Sequence, residues 1–113
     1  MKKNISGIVS EIYRHYLKQA EKDHTTFDID LPDPTMQIED AELITTKLSY
    51  AVRLALGRAK GGRIAIETHA GEIIVRDNGP ALRKTESDKL NQTGVIVKSR
   101  VGYGTRAIIK IND

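Results

Sequence analysis

A carboxylate, an amide and a glycine stand in a row at Asp77, Asn78 and Gly79, inside the stretch VRDNGPAL at residues 75–82. The run before them is apolar, and the run after them, LRKTESDKLNQ, is polar. Two chemistries fit this arrangement. Asp and Gly at the end of a strand are ordinary turn residues. An acceptor-only carboxylate in an apolar pocket also selects a ligand that carries an amino donor, and it rejects one that does not. A glycine beside it permits a tight backbone turn. Other catalytic chemistry finds little material. The histidines His15, His24 and His69 are scattered with no metal-ligand spacing. The absence of cysteine excludes disulfides and thiolate metal sites.

The elements that must position Asp77 are readable from periodicity. Ile5, Ile8, Val9, Ile12, Tyr13, Tyr16, Leu17 and Ala20 recur at i, i+3, i+4 and i+7, which predicts an amphipathic helix. In TTFDIDLP, Phe27, Ile29 and Leu31 alternate with Asp28 and Asp30, the pattern of a strand with one buried face, ended by Pro32 and Pro34. A short strand is expected at residues 35–38. Asp40 is placed to cap a second helix whose apolar positions are Leu43, Ile44, Leu48, Ala51, Val52, Ala55 and Leu56. Gly61 and Gly62 end it. Two strands then form a hairpin, RIAIET at 63–68 and EIIVR at 72–76, through the turn HAG. Residues 78–92 read as a polar loop with no strong period. A closing hairpin, VIVKSR and TRAIIKI, is joined by VGYG, whose glycines suit positive φ. The fold class is α+β: a two-layer sandwich with helices packed on one face of a mixed, largely antiparallel sheet, in a single domain over residues 1–113.

Charge is uneven. The net value is +3, but residues 1–56 carry 7 basic and 9 acidic groups, whereas residues 57–113 carry 11 basic and 6 acidic groups. A basic second half suits a phosphate-bearing ligand or an acidic partner, and equally a solvated surface rich in Lys and Arg. One Phe and no Trp leave little for stacking nucleic-acid bases, so nucleic-acid binding is not expected. No apolar run approaches the roughly 20 residues that cross a bilayer, and the start MKKNISGIVSE lacks the apolar segment of a signal peptide. The expectation is a cytoplasmic protein without a membrane partner.

Three fragments, in order, carry a resemblance. They are FDIDLPDPTMQIEDAEL before the second helix, KGGRIAIET leading through GEIIVRDNGPAL, and SRVGYGTRAIIKI at the close. Together they resemble the ATP-binding domain of sensor histidine kinases, within the GHKL or Bergerat-fold superfamily, over nearly the whole chain. The second fragment is similar to the hairpin that leads to the family's D-x-G-x-G box, and the third to its closing hairpin with a G-x-G-T signature. The resemblance implies nucleotide-contacting roles. Asp77 would accept from the adenine amino group, Gly79 would admit the ring, Leu82 would pack against it, and Thr105 would place a hydroxyl near the same edge.

The sequence also departs from that family. The family's helix asparagine, which coordinates Mg²⁺, aligns with Leu54, and the chain's asparagines, Asn4, Asn78, Asn91 and Asn112, all lie off the second helix. Mg²⁺ requires oxygen ligands, and Leu54 has none. Glu42, the only glutamate on that helix, sits at its first turn, away from any water that a general base would activate. Roughly ten to fifteen residues separate Leu82 from Val95, too few for the family's lid, glycine box and phosphate-receiving helix. Arg83, Lys84 and Lys89 remain to meet phosphates, and Ala81 replaces the second glycine of the box. His15, in YRHYLK, lacks the acidic neighbour and nearby proline of a phosphoacceptor.

The expected protein is therefore a stand-alone, degenerate domain of this type that neither hydrolyses ATP nor transfers phosphate. It would be a regulatory or binding module in signalling, with a signalling protein as partner. Weak recognition of ATP or ADP is what Asp77, Gly79, Leu82, Thr105 and Leu54 would retain, and Mg²⁺ is not expected. The alternatives are a pure protein-interaction module on the same fold without nucleotide, and an active ATP-binding domain with a minimal lid. Oligomeric state is left open by the sequence.

Overall fold

Asn4 opens the first helix, α1 (Ile5–Lys22), by accepting the Gly7 N–H at 3.1 Å, the role short polar side chains play at helix starts. Its apolar stripe is buried as the periodicity requires: Ile5, Ile8, Val9, Ile12, Tyr16 and Ala20 face inward. Tyr13, at the stripe's edge, is half-buried and meets Phe27 edge-on at 5.5 Å. The computed structural model describes residues 3–69, 71–80, 83–100 and 104–111.

The second helix, α2 (Ala41–Arg58), starts where Asp40 accepts the Leu43 N–H. Ile44, Leu48, Ala51, Val52, Ala55 and Leu56 enter the core. Leu43 does not, and it stays 47% exposed. Successive residues turn by about 100° around a helix, and Ala41 and Ile44 already hold the inward positions of that first turn. Tyr16 and Ser49 join the two helices through a hydroxyl pair at 2.8 Å.

Seven strands are present among the described residues. Two of them, β1 (Lys3–Asn4) and β3 (Gln37–Ile38), form a separate antiparallel ribbon. The strand expected at 35–38 shrinks to two residues because Met36 N–H turns back to the Asp33 carbonyl at 3.2 Å. The five others are β2 (Thr26–Asp30), β4 (Arg63–His69), β5 (Glu72–Asp77), β6 (Ile96–Arg100) and β7 (Gly104–Lys110). They make one sheet in the order β2-β4-β5-β7-β6, parallel at β2–β4 and antiparallel elsewhere. This is the mixed, largely antiparallel sheet that the patterning predicts.

Strand periodicity divides the sheet's side chains between two faces. Ile64 and Ile66, Ile73 and Val75, and Ala107 and Ile109 belong to the core that the helices fill. The edge strand β2 keeps the expected alternation but only a partial cover: Phe27 is half-buried, and Ile29 is exposed along with Asp28 and Asp30.

Residues 78–92 are not a loop throughout. Lys84–Gln92 form a third helix, α3. Its inward surface rests on one buried apolar residue, Leu90, so no apolar period marks it in the sequence. Local chemistry makes it. The Arg83 N–H donates to Glu86 Oε1 at 3.3 Å, and Thr93 Oγ1 and the Val95 N–H both donate to the Leu90 carbonyl at the other end.

Leu90 is 1% exposed, so Leu90→Ala should cost about 2–5 kcal/mol, or melt α3 locally if the rest of the core holds. Urea denaturation gives the first outcome, and amide exchange confined to 84–92 gives the second. Unchanged stability together with unchanged exchange would contradict the anchoring role.

Candidate functional site

Two helical turns of α2 and the end of β5 meet where Asp77 lies. The C-terminal end of α2 is fixed by backbone ties to the start of β2. Thr25 Oγ1 donates to the Ala59 carbonyl at 3.2 Å, the Gly61 N–H to the Asp23 carbonyl at 2.8 Å, and the Thr26 N–H to the Gly62 carbonyl at 3.0 Å. This holds Arg58, the last residue of α2, against the last residue of β5. The Asp77 side chain is 1% exposed and pairs through Oδ2 with Arg58 Nη2. Its other oxygen, Oδ1, accepts the Gly79 N–H at 3.0 Å. Arg58 Nη1 donates to the Leu54 carbonyl at 3.3 Å, while the buried Arg58 Nε has no partner.

The carboxylate is therefore buried and internally satisfied at both oxygens. Asp77 was expected to present a free acceptor; instead, the arginine supplies the donor. Sequence reasoning passed over Arg58 because it follows Gly57 at a helix end, where a cation is ordinary complement to the helix dipole. Its pairing across 19 positions leaves no local trace.

The neighbouring glycines explain themselves through the protein's own backbone. A Cβ on Gly79 would lie 2.9 Å from the Arg58 carbonyl oxygen. Gly79 is thus required by close packing of this loop on α2, which differs from the expected accommodation of a ring. Gly104 has φ +76°, and a Cβ there would collide with the Asp77 carbonyl oxygen. Asn78 is structural as well. Its Oδ1 accepts the Arg63 N–H at 2.8 Å, and its own N–H returns to the Arg63 carbonyl at 3.3 Å.

Thr105 is the cross-strand partner of Asp77, is buried, and shares a hydroxyl hydrogen bond with Ser99 at 2.9 Å. The fold brings Asp77, Gly79 and Thr105 together as expected. Leu54 lies one turn before Arg58 on α2, half-buried against the core. Leu82 and Ala81 lie outside the described residues.

Beside Arg58, a cavity of about 500 Å³ opens between α2 and α3, lined by Gly57, Arg58, Pro80, Arg83, Thr85 and Glu86. A helix N-terminus can receive a phosphate through free N–H groups and dipole charge. Here the Glu86 carboxylate already occupies the first turn of α3 and takes the Arg83 N–H. A phosphate entering would meet that carboxylate. Among the described residues, no three His, Asp or Glu side chains converge as a metal site. Leu54 offers a metal no side-chain oxygen. Glu42 stands at the opposite end of α2, about 24 Å from Arg58 at 1.5 Å per residue. Among the described residues, Leu54 and the Glu86-occupied start of α3 do not fit a Mg²⁺–triphosphate complex. His15 is exposed on α1 against the Tyr16 ring, His24 sits exposed at φ 56° after α1, and His69, where the turn was expected to begin, is the last residue of β4, its Nε2 3.7 Å from Glu67 Oε2.

No family model matches the sequence, and no curated protein matches it. Solved structures do match. The nucleotide-free catalytic domain of histidine kinase ThkA superposes with a TM-score of 0.78 at 16% identity, covering 100% of this chain and 98% of that one. The Acinetobacter baumannii histidine kinase AdeS gives 0.78 at 12% identity, covering 100% of this chain and 68% of its own. ThkA in complex with the response regulator TrrA gives 0.76 at 17% identity, with this chain spanning 42% of that one. The chain has the fold of histidine-kinase catalytic domains. Among the described residues, no helix is long and apolar enough to cross a membrane.

Removing one partner of a buried ion pair leaves an uncompensated charge. Arg58→Ala should therefore destabilise by about 3–5 kcal/mol, and Asp77→Ala by a similar amount. Replacing both, as Arg58→Met with Asp77→Leu, should recover most of the loss. A double-mutant cycle by chemical denaturation measures the coupling. Additive losses would show that the pair is not a unit.

Proposed function

We propose that this chain is a non-catalytic domain on the histidine-kinase catalytic fold, serving as a regulatory binding module in signalling. The observation that carries this reading is the Arg58–Asp77 pair. In the fold's nucleotide-binding relatives, as the sequence resemblance implies, this carboxylate recognises the adenine amino group. Here an arginine of the same chain meets it, in the dry junction between α2 and β5.

A nucleotide that used Asp77 would have to displace Arg58 and leave a buried guanidinium without its counter-charge. That cost falls on binding directly, so affinity for ATP or ADP is weak. It also falls on the adenine end, so Mg²⁺ does not alter it. The lack of an oxygen at Leu54 and the presence of Glu86 at the start of α3 support the absence of phosphoryl transfer. Arg83 and Lys84 are exposed at the start of α3, with Arg83 on the cavity wall, but no metal clamp accompanies them. The same arginine favours the stricter alternative, an interaction module that takes no nucleotide. A role with a protein partner accords with the ThkA–TrrA complex, in which a protein of this fold assembles with a response regulator.

Titrating ATP and ADP, with and without Mg²⁺, while following the amide signals of Asp77, Gly79 and Thr105 separates the two. Small shifts at millimolar nucleotide, equal with and without Mg²⁺, are expected of the weak-binding form. Silence leaves the interaction module alone. Mg²⁺-dependent ATP turnover that Asp77→Asn abolishes, or autophosphorylation from labelled ATP, would overturn both. Arg58→Met, which removes the competing donor, should tighten adenine nucleotide binding if Asp77 is the recognition group. Equal or weaker binding in a folded Arg58→Met protein would remove Asp77 from that role.

A further inference from the structure

The face of the sheet turned away from the helices has its own pattern. Cross-strand register sets Arg76 opposite Arg106, and Arg106 opposite Lys98. Three cations thus stand side by side on β5, β7 and β6, all exposed, at strand spacings of about 4.8 Å. Like charges directly opposite one another destabilise a sheet. Only Arg76 has a carboxylate at hand, Glu67 at 3.2 Å. Arg106 and Lys98 have no ion-pair partner among the described residues. Arg63, at the start of β4, joins Arg76 and Arg106 around an open depression of about 330 Å³ that Asp77, Asn78 and Thr105 also border.

Two residues along, the next row reads Ile74, Ile108 and Ile96 across the same three strands. Ile74 and Ile108 are each 8% exposed and Ile96 is 42% exposed. The first two lie on the face away from the helices and are nonetheless buried within the chain. Ile96 is left open. A cationic row beside an apolar row is more than the fold's own packing needs, since its core lies on the other face.

We propose that this face docks an acidic polypeptide segment whose carboxylates meet Arg76, Arg106 and Lys98 and whose apolar side chains lie on Ile96, the open end of the isoleucine row. Charge selects an anionic partner. The isoleucine row selects a polypeptide over a nucleic acid, and no aromatic residue stands on these strands to stack a base. A second copy of the same face is excluded, because it would set arginine against arginine. This names the surface for the interaction role proposed above and rests on that role only in taking the partner to be a protein. It lies across the sheet from the Asp77 side chain.

The test uses the whole chain and three probes: a fluorescein-labelled peptide alternating glutamate with leucine, the same peptide with serine for leucine, and a single-stranded oligonucleotide. The Glu–Leu peptide should shift the amides of Ile74, Arg76, Arg106 and Ile108. It should bind about tenfold or more tightly than the Glu–Ser peptide, and weaken as salt rises. The variant Arg106→Glu, which sets a carboxylate between Arg76 and Lys98, should lose at least about tenfold in affinity while its melting temperature holds or rises, since both like-charge contacts become opposite-charge ones. Equal binding of the two peptides, tighter binding of the oligonucleotide, shifts confined to other surfaces, or a fall in melting temperature of the variant would each overturn the proposal. The Asp77 and Thr105 side chains point to the other face, but both residues border this depression, so variants separate the readings: Arg58→Met should alter nucleotide binding alone, and Arg106→Glu peptide binding alone.

Discussion

The buried contact between Arg58 and Asp77 constrains more of this molecule than any other polar interaction in it. Two charges taken out of water carry a large desolvation penalty, which their attraction offsets only when geometry is good and the remaining lone pairs are met. The fold supplies that geometry from rigid parts. The end of α2 is tied to β2 by Thr25, Gly61 and Gly62. The end of β5 is held between β4 and β7 by paired strands on both sides. The ion pair therefore locks helix layer to sheet layer at the end of β5.

Close packing around the pair follows from the same requirement. Gly79 sits against the Arg58 backbone, and Gly104 passes over the Asp77 carbonyl, each where a side chain would collide. Asn78 clamps the connecting turn to Arg63 with a reciprocal pair of hydrogen bonds. Every member of the short D-N-G stretch thus has an intramolecular partner. The turn reading of that stretch holds: its residues build a turn, and the turn closes over a buried carboxylate. Among the buried side chains of the described residues, Arg58 Nε alone lacks a partner, an imperfection that costs stability and marks where a competing acceptor would gain most.

Legibility in the sequence tracked the range of the interaction involved. Helix α1 was readable because eight apolar residues repeat at helical spacing and bury as one stripe. The hairpin strands were readable because alternation is a local property, and the position of Asp77 at the end of β5 followed from it. Helix α3 was not, since one leucine makes no period and its caps are formed by backbone groups and by Glu86. The partial cover of β2 was invisible too, because edge position is decided by strand order, which neighbouring residues do not encode. The same limit hid Arg58. Its identity was plain, but its partner is set by how α2 lies across the sheet. Leu43 failed for a smaller reason: a stripe at the first helical turn runs past the edge of the core.

The sheet separates two kinds of chemistry by strand periodicity alone. Arg76 and Asp77 are adjacent in sequence, yet their side chains leave β5 on opposite faces, and Thr105 and Arg106 repeat the division on β7. On the helix face, charge is buried, paired and confined to one contact. On the open face, charge is exposed and in excess, and the isoleucines beneath it lack a helix. A substitution that reverses charge on the open face leaves the core volume and the Arg58–Asp77 contact untouched. A substitution at the contact disturbs packing between the layers. The energetics of the two faces are separable for that reason, although they are built from the same two strands. On the reading proposed above, this carboxylate serves to hold the layers together while the other face is left to a partner.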